Sequence, residues 1–431
     1  MRMIAHKHVV TIGKTIRHLS RLRGGSGSAV PGLIVEKIDP DFSAKVLSGI
    51  PRGVVVISGT NGKTTTTKIV CSLLQAHGLK VFTNKTGSNF TRGIIASLIQ
   101  EVDTSGQLDA DIAVLELDEA YAVHFVKRLR PRYSLLLNVM RDQLDRFGEI
   151  DHTASLLAKV AESSTDGVVL NRDDPLLSTL LSTPPDSVDV RMFGVAPALY
   201  SLFPTDQQLH GTDTPSQKPI VTRPGDITLA KLHNQSAWFR FGNAKAALRA
   251  DLQLQGIHNM QNAAGALCLA RMILGEDCSP ASLLKALANV KPAFGRGEAL
   301  TVDGYPFEIV LVKNPAGFRL ALESYRHNPT PTMIAINDNY ADGRDMSWLW
   351  DVDLSQFSKV EMVTGIRAYD MALRLQYDDV EVGTVTEAIP RALDEFLRRS
   401  PSPKRVFCTY TAMMQLRRIL EKRYKLEAID I

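Results

Sequence analysis

A glycine-flanked turn between a strand-like run and a helix-like run is the segment of this sequence best suited to chemistry. Its residues are Ser58, Gly59, Thr60, Asn61, Gly62, Lys63, Thr64 and Thr65. Glycines let successive backbone N–H groups turn inward as an anion nest, and a helix N-terminus adds partial positive charge. We therefore predict a phosphate site in which Lys63 reaches the terminal phosphates and the Thr64 hydroxyl binds Mg²⁺. The spacing departs from the common phosphate-binding loop, because Ile57 stands where that motif has glycine.

Carboxylates follow two further strand-like runs, 112–117 and 134–140. Ligands collect at the carboxyl ends of strands in a doubly wound sheet, and Mg²⁺ prefers oxygen donors. We therefore predict Glu116 and Glu119 as metal ligands beside Thr64. Three more acids are either site residues or plain helix caps and surface charges, and both interpretations stay open for Asp118, Asp142 and Asp145.

A third motif, G-I-H-N-M-Q-N at 256–262, precedes a helix-like run. The carboxamides of Asn259 and Asn262 offer both a donor and an acceptor, which suits the edge of a purine base. Asn262 would serve equally well as the N-cap of that helix.

The elements that must position these residues alternate along the chain. β-branched runs such as 54–57 and 167–170 are separated by helix-like segments, the pattern of a parallel sheet covered on both faces. A second alternating unit begins near residue 300. We predict an α/β fold with a basic N-terminal segment at 1–50, a central phosphate-loop domain at 51–294 and a smaller Rossmann-like domain at 295–431. Residues 185–250, rich in Pro, Thr, Gln and Asp, are expected to form a peripheral β-rich insertion.

Composition limits the function classes. The 431 residues are 44% hydrophobic and 22% charged, which is ordinary globular usage. The net charge of +4 is too small to indicate a nucleic-acid partner. The first residues lack a signal-peptide pattern, and no apolar run would span a bilayer. The four cysteines form neither a disulfide scaffold nor a C-x-x-C pair, so we expect a protein of the reducing cytoplasm. The first 35 residues are basic and helix-like, which predicts either an amphipathic helix that touches anionic lipid or a helix packed on the next domain.

Four motifs together resemble the Mur ligases, which are ATP-dependent amide ligases of peptidoglycan synthesis. They are S-G-T-N-G-K-T-T, L-E-L-D-E-A, G-I-H-N-M-Q-N and G-R-G-E. The second half is similar to one branch of that family, the MurT subunits of lipid II isoglutaminyl synthase. That similarity rests on the K-N-P-A-G segment at 313–317, the aspartate-rich segment at 337–351 and T-Y-T-A-M at 409–413.

The resemblance implies a function. MurT proteins use ATP to activate the α-carboxylate of D-glutamate in the lipid II stem peptide, and a partner glutaminase, GatD, supplies ammonia. It also implies roles by motif: Lys63 and Thr64 at phosphate and Mg²⁺, Glu116 at Mg²⁺, Asn259 and Asn262 near the adenosine. By the same route Arg296 lies near phosphate, and the catalytic region contains Asp338, Asp342 and Asp345.

Four departures from the family pattern bear on these expectations. Residues 185–250 contain no cysteine, so the zinc ribbon that many MurT proteins carry there is not expected. Gln143 replaces a histidine that contacts metal in many Mur ligases. Lys159 is near the place of a carbamylated lysine in the amino-acid-adding ligases, but its spacing differs. The short stretch before the phosphate loop has no room for the usual UDP-binding domain, which favours a lipid-linked substrate.

The cysteines argue for a partner independently. A glutaminase needs an activated cysteine, whereas Cys71 lies in an amphipathic helix-like run and Cys408 in a strand-like run without flanking glycines. We therefore expect ammonia to come from a GatD-like subunit. The alternatives are a Mur-like ligase that adds an amino acid and a non-catalytic nucleotide-binding partner. A calcium loop at 338–349 is excluded, because Tyr340 and Leu349 stand where that loop needs oxygen ligands.

Overall fold

The computed structural model describes residues 2–22, 29–84, 90–140, 150–180, 187–203, 205, 222–254, 256–291, 296–326, 329–399 and 401–424. Within them the helices are α1 Arg2–Leu22, α2 Ala29–Ile38, α3 Phe42–Leu47, α4 Lys63–Ala76, α5 Thr91–Glu101, α6 Glu119–Val126, α7 Ile150–Ser163, α8 Ile257–Leu274, α9 Pro280–Ala288, α10 Pro315–Tyr325, α11 Ala368–Tyr377, α12 Ile389–Arg398 and α13 Tyr410–Glu421. The strands are β1 Val54–Ser58, β2 Val81–Thr83, β3 Ile112–Glu116, β4 Tyr133–Leu136, β5 Gly167–Asn171, β6 Asp189–Val195, β7 Ile227–His233, β8 Ser236–Phe241, β9 Leu248–Asp251, β10 Arg296–Val302, β11 Tyr305–Leu311, β12 Thr332–Ala335, β13 Lys359–Thr364, β14 Glu381–Thr386 and β15 Lys404–Cys408.

The first sheet has the order β2-β3-β1-β4-β5-β6-β7-β8-β9. Strands β1 to β6 pair in parallel, and β1 lies between β3 and β4. All five residues of β1, β3 and β5 are buried, as continuous apolar runs require when helices cover both faces of a sheet. Helices α4 and α8 pack on one face, and α5, α6 and α7 belong to the core on the other. The predicted parallel sheet is therefore confirmed.

The β-rich part at 185–250 extends this sheet instead of standing apart from it. β6 is the last strand of the parallel series, and β7 pairs parallel to it through Phe193 and Ile227. β8 and β9 then continue antiparallel to the edge. Residues 206–221, in the middle of the segment, lie outside the described part of the chain.

The second sheet has the order β10-β11-β15-β12-β13-β14. β11, β15, β12, β13 and β14 are parallel, and β10 forms an antiparallel hairpin with β11. The carboxyl ends of β11, β15 and β12 consequently meet at one edge of the sheet. The segments that leave this edge contain Lys313, Thr409 and the aspartate-rich run.

The N-terminal helix α1 packs on the first sheet's helical layer. Val9 and Val10 are buried in the same core as α5, and a Cβ at Gly13 would lie 3.0 Å from Ile99. Lys14 is also engaged, since its ammonium donates to the carbonyl of Val102 at 2.6 Å. Of the two interpretations of the basic segment, packing on the next domain is therefore observed. Among the described helices, none is both long and apolar enough to cross a membrane.

Candidate functional site

The loop 59–62 connects β1 to α4 and has the backbone shape that its glycines allow. Gly59 has φ +133° and Gly62, the N-cap of α4, has φ +88°, which is costly for residues with a Cβ. Space is limiting as well, because a Cβ on Gly62 would lie 2.7 Å from the carboxamide of Asn262. The helix itself starts at Lys63, so the last three residues of the predicted turn segment are helical. The first turn of α4 therefore contains Lys63, Thr64 and Thr65.

Asn138, which follows β4, holds the loop in this shape. Its side-chain oxygen accepts from the Asn61 N–H at 2.8 Å, and its amide donates to the Asn61 carbonyl at 3.1 Å. Its backbone carbonyl accepts from the Thr60 N–H at 3.0 Å. The Thr60 hydroxyl in turn donates to the carbonyl of Met140 and accepts from its N–H. Asn138 lies within the predicted strand-like run 134–140, and the sequence pattern gave no sign of this role.

Lys63 is buried and bound by the loop that it follows. Its ammonium donates to the carbonyls of Gly59 and Thr60 and lies 3.3 Å from Oε2 of Glu119. Glu119 is buried too, so a cation and an anion compensate each other in a site with little solvent. The ammonium is therefore held at the mouth of the glycine turn, where an incoming phosphate would meet it.

Thr64 and Glu116 form the oxygen-rich part of the site. The Thr64 hydroxyl donates to Oε1 of Glu116 at 2.9 Å. Asn84, after β2, fixes the backbone of Glu116 with two hydrogen bonds of 2.9 Å. Nearby, Oδ1 of Asp118 is buried without a hydrogen-bond partner among the described residues, and burial raises the pKa of this carboxyl.

These donors fit a hard divalent cation. Hydroxyl and carboxylate oxygens are what Mg²⁺ takes from a protein, with waters and substrate phosphates completing the shell. Among the described residues there is no group of three or more His, Cys, Asp or Glu that would hold a metal on its own. The residues present would therefore serve Mg²⁺ together with a nucleotide.

Asn259 and Asn262 lie in the first two turns of α8, next to the glycine loop. Both are buried, and their side chains lie 3.4 Å apart (Nδ2 of Asn262 to Oδ1 of Asn259). The interpretation of Asn262 as an N-cap is wrong. The helix begins at Ile257, inside the motif that was predicted to precede it, with Gly256 as its N-cap at φ +86°.

Two residues of the second sheet reach the loop from the carboxyl end of β11. The ammonium of Lys313 donates to the Thr60 carbonyl at 3.1 Å. The amide of Asn314 donates to Oδ1 of Asn61 at 3.1 Å, and the Asn61 amide donates back at 3.4 Å. Asn314 is also the N-cap of α10, accepting from the Gly317 N–H at 2.8 Å. The two sheets therefore meet at the glycine loop itself.

A cavity opens beside this junction and is lined by both units. Its walls include Asn61, Asn138, His258, Asn262, Lys313 and Tyr325. Asp173, which follows β5, lies in its wall. Burial raises the pKa of this carboxyl to about 6, against the opposing charge of Arg172 and the N–H of Val195. Nothing in the local pattern around Asp173 singled it out, although its position after a parallel strand is a signal that would have done so.

The three predicted aspartates of the second unit differ in their surroundings. Asp342 is buried, and its oxygens accept from the Thr411 N–H at 2.7 Å and from the Thr411 hydroxyl. Burial raises the pKa of Asp342 against these hydrogen bonds. Asp345 accepts a hydrogen bond from the Ser347 N–H at 2.9 Å, and hydrogen bonding to the Ser347 side chain and backbone lowers the pKa of this carboxyl. Asp338 pairs with Arg367 at 3.0 Å.

The aspartates stand at the same sheet edge as Lys313 but not in the cavity wall. They follow β12, which is separated from β11 by β15, or about 10 Å at two strand spacings. None of the three lines the cavity described above. The structure thus brings the glycine loop, Glu116, Glu119, Asn259 and Asn262 together, and places the aspartates at the neighbouring strand ends.

The remaining predicted residues are exposed at the surface or lie outside the described part. Asp142, Gln143 and Asp145 fall outside it, and so does the side chain of Arg296, the first residue of β10. Lys159 is exposed on α7.

Comparisons with known proteins relate both units to one family. A model of the Mur ligase middle domain matches residues 57–270, and a model of the MurT ligase C-terminal region matches 311–413. The MurT subunit of the glutamine-hydrolysing lipid II isoglutaminyl synthase of Streptococcus pneumoniae is 30% identical, covering 94% of each chain. Its counterpart from Staphylococcus aureus strain COL is 28% identical over 88% of this chain and 89% of its own. A MurF ligase from Thermotoga maritima, solved in complex with ADP, shares the fold with a TM-score of 0.66 at 18% identity, covering 91% and 85% of the two chains.

Proposed function

Because this chain belongs to the MurT family of lipid II isoglutaminyl synthase subunits, within the Mur ligases, we propose that it amidates lipid II with ATP and ammonia. The acceptor is the α-carboxylate of D-glutamate in the stem peptide, and the product carries D-isoglutamine. The observation that carries the proposal is the meeting of Lys63, the Thr64–Glu116 pair and Lys313 at one glycine loop.

The chemistry has two steps that balance. A carboxylate oxygen attacks the γ-phosphorus of ATP, which gives an acyl phosphate and releases ADP. Ammonia then attacks the acyl carbon, the C–N bond forms, inorganic phosphate leaves, and the nitrogen loses one proton to a base. Holding the reactants together can supply roughly 7–11 kcal/mol of the barrier.

The loop residues suit the first step. The nest of 59–62 and the N-terminus of α4 would bind the phosphates, and Lys63 would bind the terminal ones in place of the carbonyls that it now contacts. The ammonium of Lys313, which contacts the same Thr60 carbonyl as Lys63, adds a second positive charge toward the transferred group. Asn259 and Asn262 are the predicted contacts of the adenosine, and Arg296 a further contact of phosphate.

Mg²⁺ would be held by Thr64 and Glu116, with Glu119 next to them. When bound, it neutralises phosphate charge during transfer. Glu119 has a second duty in this arrangement, because it keeps the buried ammonium of Lys63 paired when phosphate is absent.

We assign the three aspartates to the site where ammonia would bind, and each has a different role there. Asp342 is tied to Thr411 and would position its segment. Asp345 would hold the start of the 3₁₀ helix Ser347–Asp351. Asp338 pairs with Arg367, a contact that an incoming substrate can exchange, so it is best suited to orient ammonia or accept its proton.

The wider setting follows from the same proposal. The partner would be a GatD-like glutaminase, and the protein would work in the cytoplasm at the inner face of the membrane, where lipid II is made. We propose the division into 1–50, 51–294 and 295–431 as the domain organisation. Contact of the outer face of α1 with lipid remains part of the proposal.

The test is amidation of lipid II by the full chain with its glutaminase, ATP, Mg²⁺ and glutamine, read by mass spectrometry of the product. We expect Lys63→Ala to abolish amidation, with Lys68→Ala, an exposed lysine of the same helix, as the matched control. Because Lys63→Ala leaves Glu119 buried and unpaired, Thr64→Ala serves as a second variant with the same expected direction. Full activity of both variants would refute the proposed function.

A further inference from the structure

An exposed apolar stripe runs along α11 in the second unit. Tyr369, Leu373 and Tyr377 follow one another at spacings of four residues, which places them on one face of the helix, and exposed Ile366 lies in the turn just before it. Tyr369 is 63% exposed, Leu373 47% and Tyr377 70%. The opposite face of the helix, with Met371 and Leu375, is buried in the core of the unit. The helix is therefore apolar on both faces, and its outer face is exposed to solvent.

The stripe has a rigid end. Trp350, 47% exposed, stacks edge-on against Tyr377 with ring centroids 5.2 Å apart. The guanidinium of Arg374 lies 5.7 Å from the Trp350 ring and is itself fixed by Asp378 and the Val352 carbonyl, both at 2.6 Å. Aromatic side chains held this way lose little conformational freedom on binding, which is the property of interface hot spots.

The other end of the stripe touches the candidate ammonia site. The Ile366 N–H donates to the side-chain oxygen of Asn337 at 3.0 Å, and Arg367 pairs with Asp338 at 3.0 Å. A protein seated on the stripe would therefore lie against the first residues of the aspartate-rich segment.

Charge distinguishes between possible occupants. The charged residues from the N-cap to the C-cap of α11 alternate in sign and form two ion pairs, Arg367 with Asp370 and Arg374 with Asp378. A membrane surface would select a cluster of basic residues instead. Tyrosine, tryptophan and aliphatic side chains with interspersed arginine match the core of a protein interface.

The need for a source of ammonia indicates which protein binds the stripe. Cys71, Cys268 and Cys408 are buried, and burial raises the pKa of the latter two well above the ordinary thiol range. Cys278 contacts the hydroxyl of Ser282 at 3.8 Å, which is not a base that activates a thiol. The synthase that the relatives belong to hydrolyses glutamine, so a separate subunit must do so beside the acceptor.

We propose that the stripe formed by Ile366, Tyr369, Leu373, Tyr377 and Trp350 is the docking surface for the glutaminase subunit. This inference rests on the proposed function. Docking there places the source of ammonia next to Asp338, so that ammonia reaches the acyl phosphate before bulk water protonates it.

The experiment uses the full chain, the purified glutaminase subunit and the variants Leu373→Lys and Tyr369→Ser. The matched control is Tyr305→Ser, an exposed tyrosine on β11, toward the opposite edge of the same sheet. Binding is measured by titration calorimetry, and amidation is measured with glutamine plus glutaminase and, separately, with ammonium chloride alone at alkaline pH.

We expect each stripe variant to weaken glutaminase binding at least about tenfold and to lower glutamine-dependent amidation at limiting glutaminase. Ammonia-dependent amidation should be unchanged, and the control should match wild type in both. Unaltered affinity of both variants overturns the docking surface. If the stripe variants keep their affinity for glutaminase but lose self-association, the stripe binds a second copy of the chain and the proposal is overturned. If they instead lose binding to anionic vesicles, the stripe binds lipid and the proposal is likewise overturned. A wild-type chain that binds glutaminase but amidates with neither nitrogen source refutes the proposed function, while the binding data still decide the surface.

Discussion

Replacing Gly62 by alanine tests the architecture of the candidate site most directly, because the structure separates two costs. The first is backbone strain at φ +88°, about 1–2 kcal/mol for a residue with a Cβ. The second is the clash with the Asn262 carboxamide, 2.7 Å from the new Cβ, at about 1–3 kcal/mol for overpacking. We expect Gly62→Ala to lower the free energy of unfolding by about 2–5 kcal/mol.

The same helix supplies the control. Gly78, just beyond the end of α4, has φ +85°, and a Cβ placed there would have nothing within 4 Å, so Gly78→Ala should cost only the strain of about 1–2 kcal/mol. In an Asn262→Ala background the clash disappears, and Gly62→Ala should then cost the same as Gly78→Ala.

The assay is urea unfolding, followed by far-UV circular dichroism and by tryptophan fluorescence. The variants are Gly62→Ala, Asn262→Ala, Gly78→Ala and the double variant of positions 62 and 262. Coincident transitions are required before free energies are compared. The reasoning predicts a coupling energy of about 1–3 kcal/mol between positions 62 and 262. A coupling below about 0.5 kcal/mol would show that α8 does not press on the loop and would refute the geometry.

Three further predictions concern the cavity and the second sheet. The folded pKa of Asp173, about 6, exceeds its ordinary value of 3.8, so the native state binds the proton more tightly and stability falls as pH rises between these values. Asp173→Asn removes this loss, so the difference in unfolding free energy, variant minus wild type, should grow by about 2 kcal/mol from pH 4 to pH 7 in denaturant titrations. A difference that does not change with pH would contradict the burial of this carboxyl. Thr411→Val removes a donor to buried Asp342 and should cost about 1–3 kcal/mol in urea unfolding, whereas an unchanged midpoint would mean that the hydroxyl is dispensable. Asn314→Asp keeps the N-cap of α10 but removes the donor to Asn61 and adds negative charge beside the phosphate loop, so ATP binding measured by calorimetry should weaken about tenfold. An unchanged affinity for ATP would show that this junction does not contribute to nucleotide binding.

Parts of the fold followed directly from local pattern. The runs that form β1, β3 and β5 are buried along their whole length, so composition alone indicates strands in a covered parallel sheet. Helix boundaries were less accurate, as α8 shows. Its first turn contains the polar residues His258 and Asn259, so a search for hydrophobic periodicity does not detect the start of the helix. The N-cap role of Gly256 depends on its positive φ, which the sequence does not reveal.

The candidate site divides in the same way. A strand, a glycine turn, a lysine and two threonines are neighbours in the chain, so their joint chemistry is readable from spacing. The aspartate-rich segment was recognisable only by family resemblance, and its three acids were indistinguishable. Their separate surroundings, with Thr411 on Asp342 and Arg367 on Asp338, arise from residues about 70 and 30 positions away.

The sequence by itself therefore determined the glycine turn, its lysine and hydroxyl, and the alternation that builds parallel sheets, because each depends on residues within a few positions of one another. Only the tertiary structure decided that Asn138 shapes the loop, that Asn262 presses on Gly62 and that Lys313 and Asn314 bring the second sheet to it. Those contacts join segments that are 77 to 253 residues apart. Strand order and sheet packing set which distant side chains meet, and no local periodicity encodes that order.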